Sequence, residues 1–219
     1  MQLGLALRFW GGARKGAGRK RGRNVQHVRR AKQAPSSPVL VTLRASREVG
    51  NLREALRFKV IKRSLSAAKD RLGARLAHFS VQRDHLHLIV ECENAAALSS
   101  AMKGLQVRIA KALNRLLDRR GCVFSDRFHA RRLRGPREVR SALGYVLLNH
   151  RKHASENVRR YQDGHIDSCS SGHHFDGWRD AEPHPTEPPP VASAKSFLLR
   201  ELWKRYQPLI SIREIPGGS

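Results

Sequence analysis

The run Phe79-Ser80-Val81-Gln82-Arg83-Asp84-His85-Leu86-His87-Leu88-Ile89-Val90-Glu91 constrains this chain more than any other stretch. Polar Gln82-Arg83-Asp84 separates two strand-like pieces, Ala77 to Val81 and His85 to Glu91, and so predicts a hairpin. Alternate side chains of a strand share a face, which sets His85 and His87 side by side, roughly 7 Å apart along the strand. Leu86, Leu88 and Val90 then face the other way. Two imidazoles at that spacing can converge on one metal ion, although histidines on a half-exposed strand also occur as plain polar residues.

The flanking segments supply the rest of a domain. Pro38-Val39-Leu40-Val41-Thr42-Leu43 reads as a central strand, and Leu52, Leu56, Val60, Ile61 and Leu65 follow at helical spacing. After the hairpin, Leu98, Met102, Leu105, Ile109, Leu113 and Leu116 form one apolar stripe of a second helix. Phe124 to Leu133 is expected to hold a further strand with basic residues on both faces. Strand, helix, hairpin, helix, strand is the βαββαβ order of an α+β ferredoxin-like sandwich, an antiparallel sheet with helices on one face. A further helix opens at Pro136, whose missing N–H costs nothing in a first turn, and carries Val139, Leu143, Val146 and Leu147.

Charge narrows the partners. The 219 residues hold 43 Lys+Arg against 18 Asp+Glu, a formal net charge of +25, which a polyanion such as nucleic acid explains best. Residues 1–36 contain no acid, and Arg14, Lys15, Arg19, Lys20 and Arg21 lie there among glycines, the composition of a disordered basic arm that orders on phosphates. Arg108, Lys111, Arg115 and Arg119 make a basic row on the second helix, and Arg127, Arg131 and Arg132 add charge near the last strand. These are the candidate DNA contacts. No run reaches the length of a membrane span, so a cytoplasmic, nucleoid-associated protein is expected, with no membrane partner.

Cys92, Cys122 and Cys169 lack any Cys-x-x-Cys spacing, so neither a disulfide framework nor a zinc ribbon is indicated; Cys169 with His173 and His174 is a weaker metal-binding grouping. The expected organisation is an arm at 1–36, a catalytic domain at 37–155, an irregular and Pro-rich linker at 156–190, and a short helix with a tail at 191–219.

Tyr145 and Asn149 stand four apart in the helix from Pro136, so a hydroxyl and an amide project from one face. If that face covers the histidines, a phenol stands beside two imidazoles and an amide oxygen. By itself Tyr145 reads more readily as a core or interface tyrosine, and Asn149 equally as a residue near a helix C-terminus.

Asp84-His85-Leu86-His87-Leu88-Ile89-Val90, followed by Gly144-Tyr145-Val146-Leu147-Leu148-Asn149, resembles the His-hydrophobic-His (HUH) and single-tyrosine motifs of the HUH transposases. Among them the chain is most similar to the REP-associated tyrosine transposases, relatives of insertion-sequence-200-like enzymes. Gly11-Gly12-Ala13-Arg14-Lys15-Gly16-Ala17-Gly18-Arg19-Lys20 resembles that group's basic amino-terminal signature. Ser170-Ser171-Gly172 with Phe175-Asp176-Gly177-Trp178 resembles a motif downstream of its tyrosine helix. The sequence departs from the group at Arg83-Asp84, where Pro-Asn is frequent, and after Asn149, where His150-Arg151 stands in place of Pro-Val.

The resemblance implies a ferredoxin-like endonuclease and strand transferase acting on single-stranded, hairpin-forming DNA such as repeated extragenic palindromes. It makes Tyr145 the nucleophile that forms a 5′-phosphotyrosine, and His85, His87 and Asn149 the ligands of Mg2+ or Mn2+. Whether one chain completes the site or a homodimer does is left open. The alternative is a catalytically silent DNA- or RNA-binding protein on the same scaffold.

Overall fold

The computed structural model describes residues 37–124, 126–156, 165–182, 185 and 187–216. The expected basic arm, with Arg14, Lys15, Arg19, Lys20 and Arg21, lies outside them.

Strand β1 (Pro38–Arg44) leads into helix α1 (Ala55–Ala68), a two-residue strand β2 (Asp70–Arg71), and the hairpin of β3 (Ala74–Val81) and β4 (His85–Cys92). Helix α2 (Ala95–Leu116), strand β5 (His129–Arg132) and helix α3 (Pro136–Glu156) follow. The sheet order β2-β3-β4-β1-β5, with every pairing antiparallel, is that of a ferredoxin-like sandwich carrying one added edge strand.

Strand alternation divides the sheet chemically. Val39, Val41, Leu43, Phe79, Val81, Leu86, Leu88 and Val90 join the apolar stripe of α2 (Leu98, Met102, Leu105, Ile109, Leu113) and Ile61 and Leu65 of α1 in one core. Each large apolar side chain buried there contributes roughly 1.5–3 kcal/mol. Asn94 fixes the start of α2 by accepting a hydrogen bond from the Ala97 N–H at 2.8 Å.

Helix α3 covers the other face. Val139, Leu143, Val146 and Leu147 pack with Ala77 and Ile89 of the sheet and with Phe175, Trp178, Leu199 and Trp203 from the C-terminal part. A β-bulge between Leu76 and His78 turns Ala77 toward this side. At the helix start, Glu138 accepts from the Arg134 N–H at 3.0 Å.

The described residues of the segment expected as a linker, and those just after it, include several that bond to the sheet. Val81 N–H donates to the Cys169 carbonyl at 2.8 Å, and Ser171 N–H to the Phe79 carbonyl at 2.9 Å, while Ala192 N–H donates to the Leu76 carbonyl at 2.9 Å. These bonds cover the outer edge of β3. The Ser170-Ser171-Gly172 and Phe175-Asp176-Gly177-Trp178 motifs have a structural reason: a Cβ at Gly172 would stand 2.6 Å from Ile166, and one at Gly177 would stand 2.4 Å from Phe175. Farther on, a π-helical turn (Leu198–Leu202) runs into α4 (Trp203–Tyr206), which buries Trp203. No helix among the described residues is long and apolar enough to cross a membrane.

Candidate functional site

The strand register builds a polar row across the α3 face. Ser80 of β3 pairs with His87 of β4, His87 with Thr42 of β1, and Thr42 with His129 of β5. Two residue pairs farther along, Arg44 stands opposite His85. Strand alternation therefore puts both histidines, with Thr42, under the tyrosine helix.

His85 and His87 meet at Nε2, 2.9 Å apart. Each ring is held from behind: Nδ1 of His85 lies 2.7 Å from Asp84 Oδ1, and Nδ1 of His87 lies 3.1 Å from the Thr42 hydroxyl. Asp84 Oδ2 accepts from Arg44 at 3.0 Å. Partial burial pushes the Asp84 carboxyl up, but the His85 and Arg44 contacts outweigh it and hold the group below its ordinary value.

One tautomer set satisfies these contacts with His85 donating from Nδ1 to Asp84, His87 donating from Nε2 to His85 Nε2, and Thr42 donating to His87 Nδ1. A cation shared by the two rings needs both Nε2 lone pairs. The Thr42 hydroxyl can accept as readily as it donates, so His87 can carry its proton on Nδ1 instead.

Tyr145 caps the pair. Its ring meets that of His87 with centroids 4.7 Å apart and planes at 62°, a contact made within one chain. Burial raises the pKa of the Tyr145 phenol, which therefore keeps its proton at neutral pH. One turn along α3, Asn149 is 1% exposed, and neither atom of its amide has a hydrogen-bond partner among the described residues. A buried amide without a partner costs about 1–3 kcal/mol, so its position calls for a ligand.

The residues fit a divalent cation. Two nitrogens bonded to one ion at about 2.0–2.2 Å on adjacent corners stand roughly 3 Å apart, close to the 2.9 Å separation of the two Nε2 atoms. Asn149 offers the oxygen that a harder cation prefers. No group of three or more His, Cys, Asp or Glu able to hold a metal occurs among the described residues, so the Cys169, His173 and His174 grouping is not formed.

The basic residues divide between the faces. Arg108, Lys111 and Arg115 lie on α2, on the opposite side of the sheet from Tyr145. Arg119 does not extend their row: α2 ends at Leu116, Asp118 takes a φ of 44°, and the Arg119 guanidinium turns to Glu48 at 3.1 Å. By register Arg131 lies on the tyrosine side and Arg132 with Ala130 on the other, while Arg127 precedes the strand.

Sequence reasoning singled out His85, His87, Tyr145 and Asn149 and passed over Thr42 and Asp84, which hold the two rings from behind. Asp84 had a signal, an acid one residue before the first histidine. Thr42 had none, because only the β1–β4 register sets it beside His87.

The ferredoxin-like sheet, the paired histidines and the overlying tyrosine define the class: an α+β domain with one site beneath its last long helix. Residues 41–149, which span every one of these site residues, match the model of the IS200-like transposases. The chain belongs to that family of DNA-processing enzymes. Among solved structures, it is similar to a REP-associated tyrosine transposase bound to a REP hairpin, with 14% identity over 66% of this chain and 96% of that one, and a TM-score of 0.46. A transposase-like protein of Deinococcus radiodurans R1 shares 11% identity over 65% of this chain and 98% of its own, with a TM-score of 0.39. No curated protein sequence matches the chain.

Proposed function

We propose that this protein is a divalent-metal-dependent endonuclease and strand transferase for single-stranded DNA, with Tyr145 as nucleophile. The observation that carries this reading is the edge contact of the Tyr145 ring with His87, within a histidine pair whose Nε2 atoms stand at the spacing of two ligands on one ion. His85, His87 and Asn149 hold Mg2+ or Mn2+, which supplies positive charge for the scissile phosphate.

The remaining chemistry belongs to the chain. Asp84 and Thr42 orient the imidazoles from behind, and Arg44 keeps Asp84 ionised. The Tyr145 oxygen attacks phosphorus and a tyrosyl O–P bond forms as the bond to the 3′ oxygen breaks. The phenolic proton ends on that oxygen, leaving a 5′-phosphotyrosine and a free 3′ hydroxyl. One phosphodiester replaces another, so a different 3′ hydroxyl can reverse the step and reseal the strand. The raised pKa of Tyr145 keeps the nucleophile protonated in the free protein.

The Gly11–Lys20 signature and the motifs at 170–178 support membership of the REP-associated group, and hairpin-forming DNA as the substrate. Incubation with a labelled hairpin oligonucleotide and Mn2+ tests the proposal. Cleavage of the single-stranded flank that stops on chelation supports it; binding without cleavage at any divalent ion identifies a silent DNA-binding protein instead.

A further inference from the structure

The two helices on the side of the sheet away from Tyr145 carry basic residues and no acidic one. Helix α1 holds Arg57, Lys59, Lys62 and Arg63, and α2 holds Lys103, Arg108, Lys111 and Arg115. Arg57 pairs with Glu54 and Lys62 with Glu187. The others have no carboxylate partner among the described residues. Lys59 and Arg63, and Lys111 and Arg115, are like charges four apart, an arrangement that destabilises a helix by about 0.2–0.5 kcal/mol per pair.

These charges surround a groove of about 550 Å³ between the two helices. Arg63, Arg108, Lys111 and Arg115 line it beside small residues such as Ser64 and Gly104, and no lining residue is acidic. Gly104 sits in mid-helix, where glycine costs roughly 0.5–1 kcal/mol relative to alanine, yet a Cβ there would meet only Leu72 at an ordinary 3.7 Å. Internal packing therefore does not require the glycine, which leaves the lining of the groove open at that point.

We propose that this groove binds the phosphodiester backbone of the flank of the same DNA whose other part lies at Tyr145. The proposal rests on the DNA reading above and adds a second, sequence-independent contact on the far side of the sheet. From Arg108 to Arg115 the row runs about 10 Å along α2, enough to face two or three phosphates. The path between the faces passes β5, the sheet edge that has no further backbone partner among the described residues. Its exposed His129 and Arg131 point to the tyrosine side. The covered β3 edge offers no such path.

The test compares binding of two labelled hairpin oligonucleotides, one trimmed near the cleavage position and one with a long single-stranded flank, by the wild-type protein and an Arg108→Ala/Lys111→Ala/Arg115→Ala variant. The expected wild-type preference for the long flank is about tenfold or more, and the variant loses most of it. Its log–log salt dependence on the long flank becomes shallower by about 2, near 0.7 for each single-strand phosphate that is no longer neutralised. A variant that keeps the full preference overturns the proposal, as does one weakened equally on both oligonucleotides. A groove filled by a second DNA molecule, seen as two-to-one stoichiometry with no flank preference, also overturns it. Wild-type protein that prefers the long flank but never cleaves either DNA contradicts the proposed chemistry while leaving the groove assignment intact.

Discussion

His85 and His87 touch through their Nε2 atoms at 2.9 Å while their Nδ1 atoms are held by different partners, Asp84 and Thr42. The neighbours thus fix both ring orientations before any ligand arrives, leaving the two Nε2 atoms as the groups offered to a cation.

Removing either support should therefore weaken the pair without unfolding the sheet. Asp84→Asn and Thr42→Val are each expected to lower Mn2+ affinity by about 10–100-fold, measured by calorimetry on the full chain. Thr42→Ser, which retains the hydroxyl, should stay near wild type. Affinity unchanged in Thr42→Val would show that the hydroxyl has no such role.

A second ion pair is structural. Asp167 is 1% exposed and accepts two bonds from Arg53, at 2.6 and 2.9 Å, while Arg53 also donates to the Val81 carbonyl. Asp167→Ala removes the carboxylate that the half-buried Arg53 guanidinium bonds twice and should cost about 1.5–3 kcal/mol in urea unfolding. Asp176→Ala breaks the pair with Lys204, in which the carboxylate is 80% exposed, and should cost less than about 1 kcal/mol.

Much of the fold was legible because periodicity carried it. The apolar alternation in β1 and β4 and the stripe of α2 each have a single way to bury, and the hairpin turn at Gln82-Arg83-Asp84 falls where its polarity predicts. Strand β2 was not legible, since two residues show no alternation and its turn uses Leu72 at a φ of 57° in place of asparagine or glycine. The packing of residues 165–212 was hidden too, because backbone bonds to β3 and scattered aromatics hold that segment without any period. At the site, the His85–His87 and Tyr145–Asn149 spacings could be read from the sequence, whereas Thr42, which register alone brings in, could not.

Acid should destabilise the protein through His78 and His150. Burial lowers both His78 and His150 from 6.5 to about 4. As pH falls below 6.5 the unfolded chain takes up protons that the folded chain refuses, so stability is full above that value and declines until about pH 4. Stability from urea unfolding, followed from about pH 7.5 down to about pH 4, should fall by a few kcal/mol, and His150→Gln should flatten the decline. A profile independent of pH in this range would contradict the assignment.

Two glycines should respond oppositely to alanine. Gly104→Ala is expected to raise stability by about 0.5–1 kcal/mol, because the added methyl meets only Leu72 at 3.7 Å. Gly177→Ala should lower it, since its Cβ would fall 2.4 Å from Phe175 and 2.7 Å from Trp203. Thermal unfolding of the two variants separates these outcomes by sign.

Covalent joining of Tyr145 to DNA beside the histidine pair is the step on which the proposed chemistry depends. Intact-protein mass spectrometry after incubation with a hairpin oligonucleotide and Mn2+ measures it. The expected product is an adduct with the mass of the 5′-phosphorylated fragment, mapped by peptide sequencing to Tyr145 and absent in a Tyr145→Phe variant that still binds the oligonucleotide. An adduct that persists in Tyr145→Phe, or one mapped to Tyr161 or Tyr206, would rule out Tyr145 as the nucleophile.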